Sequence, residues 1–350
     1  MCAQSKRVTI KDVARLAKVS KGTVDRVIHN RGEVSEESRA KVIEVIEQLG
    51  YKPNMYASLL ASKREYKIVA LIPEFAQGEF WELMQRGISK AAQEYATFNV
   101  DIQTLCFDQF SLNSFEHATA RLLDNLPDAV LIAPSFKSLT SQFVTQLRTK
   151  GIPFAYVDSK IDDSDYLSFF GMPLFESGYL GADLLVGRQK PQEVACFRIH
   201  RPEDTANTTA IRREGFFAYM REFHPQCKIY SQFLQPYDPV SNEQILNLFF
   251  EKHPGVQCLI TFNSRAFILA DYLKKKGFVD KVLVGYDMLE SNMARLKEGV
   301  ITYLITQRIE NQGYEGIKSL CDKLLFHKDP PSLNNYMSMD ILTRYNVGYY

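Results

Sequence analysis

From residue 66 onward, short apolar runs alternate with stretches of helical period, and that alternation leaves few folds open. "KIVALIP", "VDIQTLCF", "AVLIAPS" and "IPFAYVDS" are separated by helix-like stretches near 79–95, 112–125 and 138–150. "EVACFRIH", "KIYSQFL", "VQCLITFN", "KVLVGYD" and "VITYLITQ" continue the pattern, with helix-like stretches near 207–223, 241–252, 264–277, 288–298 and 310–326. Strands that are apolar along most of their length are buried on both faces, which is how parallel sheets wrapped by helices read. Ten or so such units exceed one comfortable sheet. The expected body is therefore two α/β lobes.

The first fifty residues follow another rule. "TIKDVARLA" starts with Thr9 and places Asp12 three residues on, a capping-box-like start, and Ile10, Val13, Leu16 and Ala17 make its apolar stripe. After the link "KVS", Ser20 is placed to cap a second short helix whose Val24, Val27 and Ile28 share one side. Ser35 then caps "EESRAKVIEVIEQL", with Val42, Val45, Ile46 and Leu49 as its stripe and Gly50 closing it. Two helices joined by a tight turn, with a third behind them, are a helix-turn-helix. Pro53 breaks the third helix, and Asn54 can cap a short segment running to about Ser62, too short to hold as an isolated helix in water.

Charge separates the two parts. Residues 1–67 hold 14 Lys+Arg against 8 Asp+Glu, although the 350-residue chain has a net charge of only +1. A basic head on a mildly acidic body implies that the head alone meets a polyanion. The second helix shows where. Lys21, Asp25, Arg26 and His29 project away from its apolar side, and Gly22 stands in its first turn at a cost of about 1 kcal/mol relative to alanine. In a helix-turn-helix the second helix enters the major groove with its N-terminal residues at the base edges. Lys21 and Arg26 can donate to guanine or to phosphates, and Gly22 lets the backbone come close. Most basic residues on short helices are merely solvated, but here motif, charge and hinge-like attachment all favour DNA.

"VTIKDVARLAKVSKGTVDRVIHNRGEVSEESRAKVIEVIEQLGYKPN" resembles the DNA-binding head of the LacI/GalR family of bacterial repressors, nearly continuously over residues 8–60. The resemblance implies Lys21 and Gly22 as the main base readers and Arg26 as the third, within a DNA-contacting set of Thr9, Ser20, Lys21, Gly22, Thr23, Arg26, His29, Asn30, Asn54, Ala57 and Leu60. It further implies that the segment with Asn54, Ala57 and Leu60 orders on DNA as a pair across a homodimer, with Leu60 as an apolar minor-groove wedge. Asp25 stands where the family usually has serine. The body resembles the ribose-binding-like branch of the type I periplasmic-binding-protein fold, most clearly in "GYDMLESNMARLKEGVITYLITQRIENQGYEGIKSL". The expected domains are a helix-turn-helix over 1–51, a hinge over 52–65 and a ligand-binding and dimerisation body over 66–350. Within the body the N-lobe takes about 66–170 and 308–335, and the C-lobe about 171–307 and 336–350.

Ligands of open α/β sheets bind beyond the carboxyl ends of strands. Asp158, Asn263, Asp287 and Gln307 end four of the apolar runs, Arg212 opens a helix facing the cleft, and Phe80 and Trp81 begin the first helix of the body. Carboxylate, amide and guanidinium groups for hydroxyls, with aromatic rings for C–H faces, suit a neutral polyol. By resemblance these seven positions align with sugar-contacting positions of the family. Asp158, Asp287 and Asn263 have a local alternative as helix caps, and Phe80 and Trp81 as core. "AQGEF" replaces the family's usual Asn-Pro before the aromatic pair, and Ser159 stands where close pentose binders carry arginine, which points away from a plain pentose.

Rival functions have less behind them. No nucleophile elbow, P-loop, zinc-protease helix or dinucleotide-binding turn is present, so neither an enzyme nor a cofactor or metal is expected. The six cysteines are scattered, which reads as free thiols in a reducing compartment. No apolar run is long enough for a signal peptide or a membrane span, so the expected location is the cytoplasm. That also weighs against a transport-type sugar-binding protein, the reading the body alone would give. The sequence thus predicts a transcriptional regulator, in the first place a repressor, that binds a pseudo-palindromic double-stranded operator. Its expected effector is a small carbohydrate-like molecule, with a nucleoside as the alternative.

Overall fold

A computed structural model describes residues 8–28, 32–51, 59, 64–161, 165–187, 191–199 and 208–350. The chain divides into two compact units, Met1–Lys63 and Arg64–Tyr350. The first contains α1 (Ile10–Ala17), α2 (Lys21–Ile28) and α3 (Glu36–Leu49). The Asp12 carboxylate accepts from the Thr9 backbone N–H at 3.0 Å and from its hydroxyl at 2.7 Å, closing the start of α1 and holding the Asp12 carboxyl below the usual range. Ser20 Oγ accepts from the Thr23 N–H at 3.1 Å, so α2 begins on a true side-chain cap. Ser35 caps α3 the same way, and Gly50 ends it in the left-handed region. The core joins Val13, Ala14, Ala17, Val24, Val27, Val42 and Val45. Leu16 is not in it: its side chain is 47% exposed, and Ala14 fills the inward position. An eight-residue helix has room for one narrow stripe, and positions 10, 13, 14 and 17 already make it.

The second unit holds two six-stranded sheets. The first uses β1 (Tyr66–Pro73), β2 (Val100–Phe107), β3 (Ala129–Ile132), β4 (Phe154–Val157), β5 (Ser168–Gly171) and β11 (Asn334–Tyr336), in the order β11-β5-β4-β3-β1-β2. The second uses β6 (Glu193–Ile199), β7 (Lys228–Leu234), β8 (Cys258–Thr261), β9 (Val282–Tyr286), β10 (Tyr303–Thr306) and β12 (Asp340–Leu342), in the order β12-β10-β9-β8-β6-β7. The two orders are the same pattern repeated, and every pairing is parallel except β10 with β12. Strands such as β3, β4 and β8 are buried at every position, as strands covered on both faces must be.

Helices α4 (Phe80–Tyr95), α5 (Leu112–Asp124) and α6 (Lys137–Thr149) follow β1, β2 and β3. The chain then crosses after β5 into α7 (Leu174–Val186), and α8 (Thr208–Phe223), α9 (Pro239–Lys252), α10 (Ala266–Lys276) and α11 (Glu290–Lys297) alternate with β6–β10. It returns through α12 (Ile309–Phe326), which packs on α4 and the first sheet. In each lobe one pair of helices touches backbone to backbone at glycines. A Cβ at Gly178 would stand 1.7 Å from the Arg212 carbonyl oxygen, and one at Gly87 would stand 1.9 Å from that of Glu310. The close seating of α7 on α8 fixes where Arg212 lies.

Five cysteines fall among the described residues and all are free, with Cys196, Cys258 and Cys321 buried. Among the described residues no helix is long and apolar enough to cross a membrane, and no group of three or more potential ligands is placed to hold a metal ion.

Candidate functional site

A cleft opens between the two sheets at the carboxyl ends of their strands, where the chain changes direction in both lobes. Its walls bring together Phe80, Trp81, Asp158, Arg212, Asn263 and Asp287. Gln307, the seventh residue expected there, stands behind the wall, and its Nε2 donates to Asp287 Oδ1 at 3.1 Å. Phe80 and Trp81 begin α4 and meet edge to face at 4.9 Å between ring centres. Both are almost fully buried yet reach the cleft, so each is wall and core at once.

The two aspartates are equivalents in the repeated pattern, each following the fourth strand of its lobe. Both have left-handed backbone, φ +64° at Asp158 and +68° at Asp287. Non-glycine residues held there cost of order 1 kcal/mol or more, and such positions cluster at functional sites. Each N–H donates across to the neighbouring strand at 3.0 Å, Asp158 to Phe170 O and Asp287 to Ile305 O, which turns the side chain out of the sheet. Among the described residues neither aspartate caps a helix: the next element after Asp158 is the strand β5, which begins at Ser168, and α11 is preceded by Leu289. Asn263 does use its carbonyl oxygen locally, accepting from the Arg265 N–H at 2.8 Å.

Arg212 is 3% exposed. Its Nη1 donates to the Phe262 carbonyl at 2.9 Å, Nη2 lies 3.1 Å from Met172 Sδ, and the guanidinium sits 4.4 Å from the centre of the Tyr286 ring. Its Nε is buried and has no partner among the described residues. Burial pushes the Asp287 carboxyl above its ordinary range, and the charge of Arg212 and the amide of Gln307 offset part of that rise. A line of amides runs beneath the cleft from one lobe to the other. The Asp158 N–H donates to Gln312 Oε1 at 3.2 Å, Gln312 Nε2 donates to Gln307 Oε1 at 2.7 Å, and Gln307 reaches Asp287. The floor is thus polar, and its amides are held in fixed directions by their hydrogen bonds to one another.

Several lining residues were not expected from the sequence, among them Glu79, Gln109, Phe110 and Arg265. Arg265 Nη2 reaches across the cleft to Glu79 Oε1 at 2.8 Å while Nη1 holds the Pro236 carbonyl at 2.7 Å. Phe110 of one lobe meets Tyr237 of the other edge to face at 5.4 Å. Together they latch the mouth of the cleft. Gln109 follows the end of β2 by two residues, so the strand-end rule would have reached it; Arg265 carries no signal separating it from other loop arginines.

In the first unit, Thr9, Ser20, Lys21, Gly22 and Arg26 are exposed and Thr23 is half-buried. The hydroxyls of Ser20 and Thr23 are 2.9 Å apart, so they hold one another at the tip of α2. Among the described residues a Cβ at Gly22 would meet only Ser20 Oγ, at 3.7 Å, and Arg26 Nη2, at 4.0 Å. Asp25 is half-buried and near enough to Tyr51 to add to the rise that burial imposes on that phenol. His29, Asn30, Asn54, Ala57 and Leu60 lie outside the described residues.

Comparison with known proteins agrees with this division. Residues 9–54 match the model for bacterial regulatory proteins of the lacI family, and residues 69–328 match a periplasmic binding protein domain. Among curated relatives, the transcriptional regulator RegA of Clostridium acetobutylicum is 31% identical over 157 residues, 45% of each chain. Catabolite control protein A of Priestia megaterium is 33% identical over 146 residues, 42% of each chain. The chain thus matches less than half the length of these curated relatives. A Bacteroides fragilis crystal structure assigned to the LacI transcriptional regulators is 37% identical with a TM-score of 0.78, covering 82% of this chain and all of that one. A Burkholderia graminis solute-binding protein in complex with D-arabinose has a TM-score of 0.73 over 83% of this chain and 99% of its own, and at 16% identity it shares the fold alone. With a lacI-type helix-turn-helix in front of a two-lobed body of this kind, the chain belongs to the LacI family of bacterial transcriptional regulators.

Proposed function

We propose that the protein is a ligand-controlled repressor of transcription that acts as a homodimer in the cytoplasm. The second helix of each head reads one half-site of a pseudo-palindromic operator, because a single helix-turn-helix gives little affinity by itself. The observation that carries the reading is the cleft. Asp158 and Asp287 approach it from opposite lobes, Arg212 and Asn263 offer donors beside them, and Phe80 with Trp81 supplies an apolar wall. Acceptors, donors and a ring face at one point match a small polyhydroxy molecule of the carbohydrate class, and we assign the cleft to binding rather than to catalysis.

Ligand contacts on both lobes change how the lobes are held together, which in a dimer changes whether the two segments around Asn54, Ala57 and Leu60 can pair on DNA. The reading is tested with a duplex that the protein itself selects from a random pool, by fluorescence anisotropy at fixed salt. Arg26→Ala is expected to weaken binding by about 1–3 kcal/mol for each lost base contact. Leu60→Ala is expected to weaken it through loss of the wedge while ligand binding stays intact. Unchanged operator affinity in both variants would remove this face of the head from the interface.

A further inference from the structure

Beside the cleft lies a pair of arginines that the cleft does not use. Arg198 stands at the end of β6, one residue before the cleft-lining Ile199, and Arg213 stands on α8, one residue after the cleft-lining Arg212. Both are half-buried. Arg198 lies over the Phe233 ring at 4.0 Å, and Arg213 lies over that of Phe217 at 5.4 Å. Among the described residues the Nε atom of each is buried without a hydrogen-bond partner. Among the described residues neither forms an ion pair with a carboxylate, and Arg198 is pushed below its ordinary pKa by burial first and by the charge of Arg213 next.

Arg198 shares a face of β6 with Val194 and Cys196, which pack in one core with Phe216 and Met220 of α8, so the two charges lie in the same layer between strand and helix. Like charges there repel, and half-buried cations without a counter-ion are costly. Guanidinium forks match the oxygens of a phosphoryl group in pairs, and one phosphoryl dianion neutralises two of them. We propose that Arg198 and Arg213 form a binding site for a phosphoryl group beside the cleft. The group is either free phosphate or a phosphate ester carried by the cleft ligand; only the second source rests on the proposed function.

The test is calorimetric titration of the full-length protein with inorganic phosphate, at an ionic strength held constant with chloride. Saturable binding is expected, weakened ~tenfold or more by Arg198→Gln and by Arg213→Gln and unaffected by Lys274→Gln. Glucose 6-phosphate distinguishes the sources. If the ester is the source, it displaces phosphate more strongly than phosphate itself does, and Arg212→Ala removes that advantage. If free phosphate is the source, Arg212→Ala changes nothing. Melting temperatures give a second reading: phosphate raises that of the wild type but not of the variants, and the variants alone melt no lower than the wild type. Absence of saturable phosphate binding, equal binding by all variants, or variants that melt well below the wild type would each overturn the site. A polyol response lost in Arg212→Ala would in that case still uphold the cleft.

Discussion

Replacing Arg212 with alanine is expected to abolish the response to a cleft ligand while leaving ligand-free operator binding intact. The guanidinium is held from three sides, by the Phe262 carbonyl, Met172 Sδ and the Tyr286 ring, and its Nε is the one buried donor of the group that still lacks an acceptor. A ligand hydroxyl supplies that acceptor. Hydrogen bonds to charged groups contribute about 1.5–3 kcal/mol, so losing even one lowers ligand affinity ~10-fold to ~150-fold. The variant also leaves the Phe262 carbonyl unpaired and removes the cation that offsets burial of Asp287. A stability loss of about 1–3 kcal/mol should therefore accompany it. Titration with a polyol panel and thermal denaturation read the two effects separately. Retained ligand affinity would show that Arg212 only braces the lobe.

Much of this site was legible in the sequence because one physical rule located it. A strand that ends in a polar residue at the carboxyl edge of a parallel sheet puts that residue at the crevice, and Asp158, Asn263 and Asp287 obey that rule. Gln307 obeys the same rule yet lies one layer back, because the distinction between lining and supporting depends on packing between lobes. The body was less complete. The strand Ser168–Gly171 and the helix Leu174–Val186 were not anticipated, since "LSFFGMPLFESGYLGADLLV" is apolar almost throughout and shows neither period. Its glycines lower helix propensity, and their reason appears only in three dimensions: Gly178 admits the backbone at Arg212, and a Cβ at Gly181 would stand 2.9 Å from the Tyr286 hydroxyl. The three-residue strands β11 and β12 are too short to carry a pattern. The Arg265–Glu79 latch spans 186 positions, and nothing local to either residue announces it.

Asp287→Asn is expected to stabilise the protein in a pH-dependent way and to weaken ligand binding. Burial raises the Asp287 carboxyl above its ordinary value, so the folded protein holds this proton at pH values where the unfolded chain has lost it. Stability from this group is accordingly highest at or below pH ~4 and falls as pH rises through the window between the unfolded and folded values, at up to about 1.4 kcal/mol for each pH unit. The amide cannot ionise and escapes that fall. Denaturant unfolding from pH 4 to 8 should show the variant gaining on the wild type as pH increases. Ligand affinity should move the other way, because an amide offers one acceptor where the carboxylate offers two. Parallel stability profiles would mean that Asp287 titrates alike in both states.

In the proposed function the head and the cleft bias one equilibrium. Coupling between two sites is reciprocal: whatever factor ligand imposes on operator affinity, operator must impose on ligand affinity, typically worth about 1–3 kcal/mol. The most direct measurement is therefore calorimetric titration of a cleft ligand into the full-length protein, once free and once saturated with operator duplex. The two ligand affinities are expected to differ by the factor seen when operator binding is measured with and without ligand. Equal ligand affinity on and off DNA would contradict it, leaving a DNA-binding head and a ligand-binding body with no energetic link.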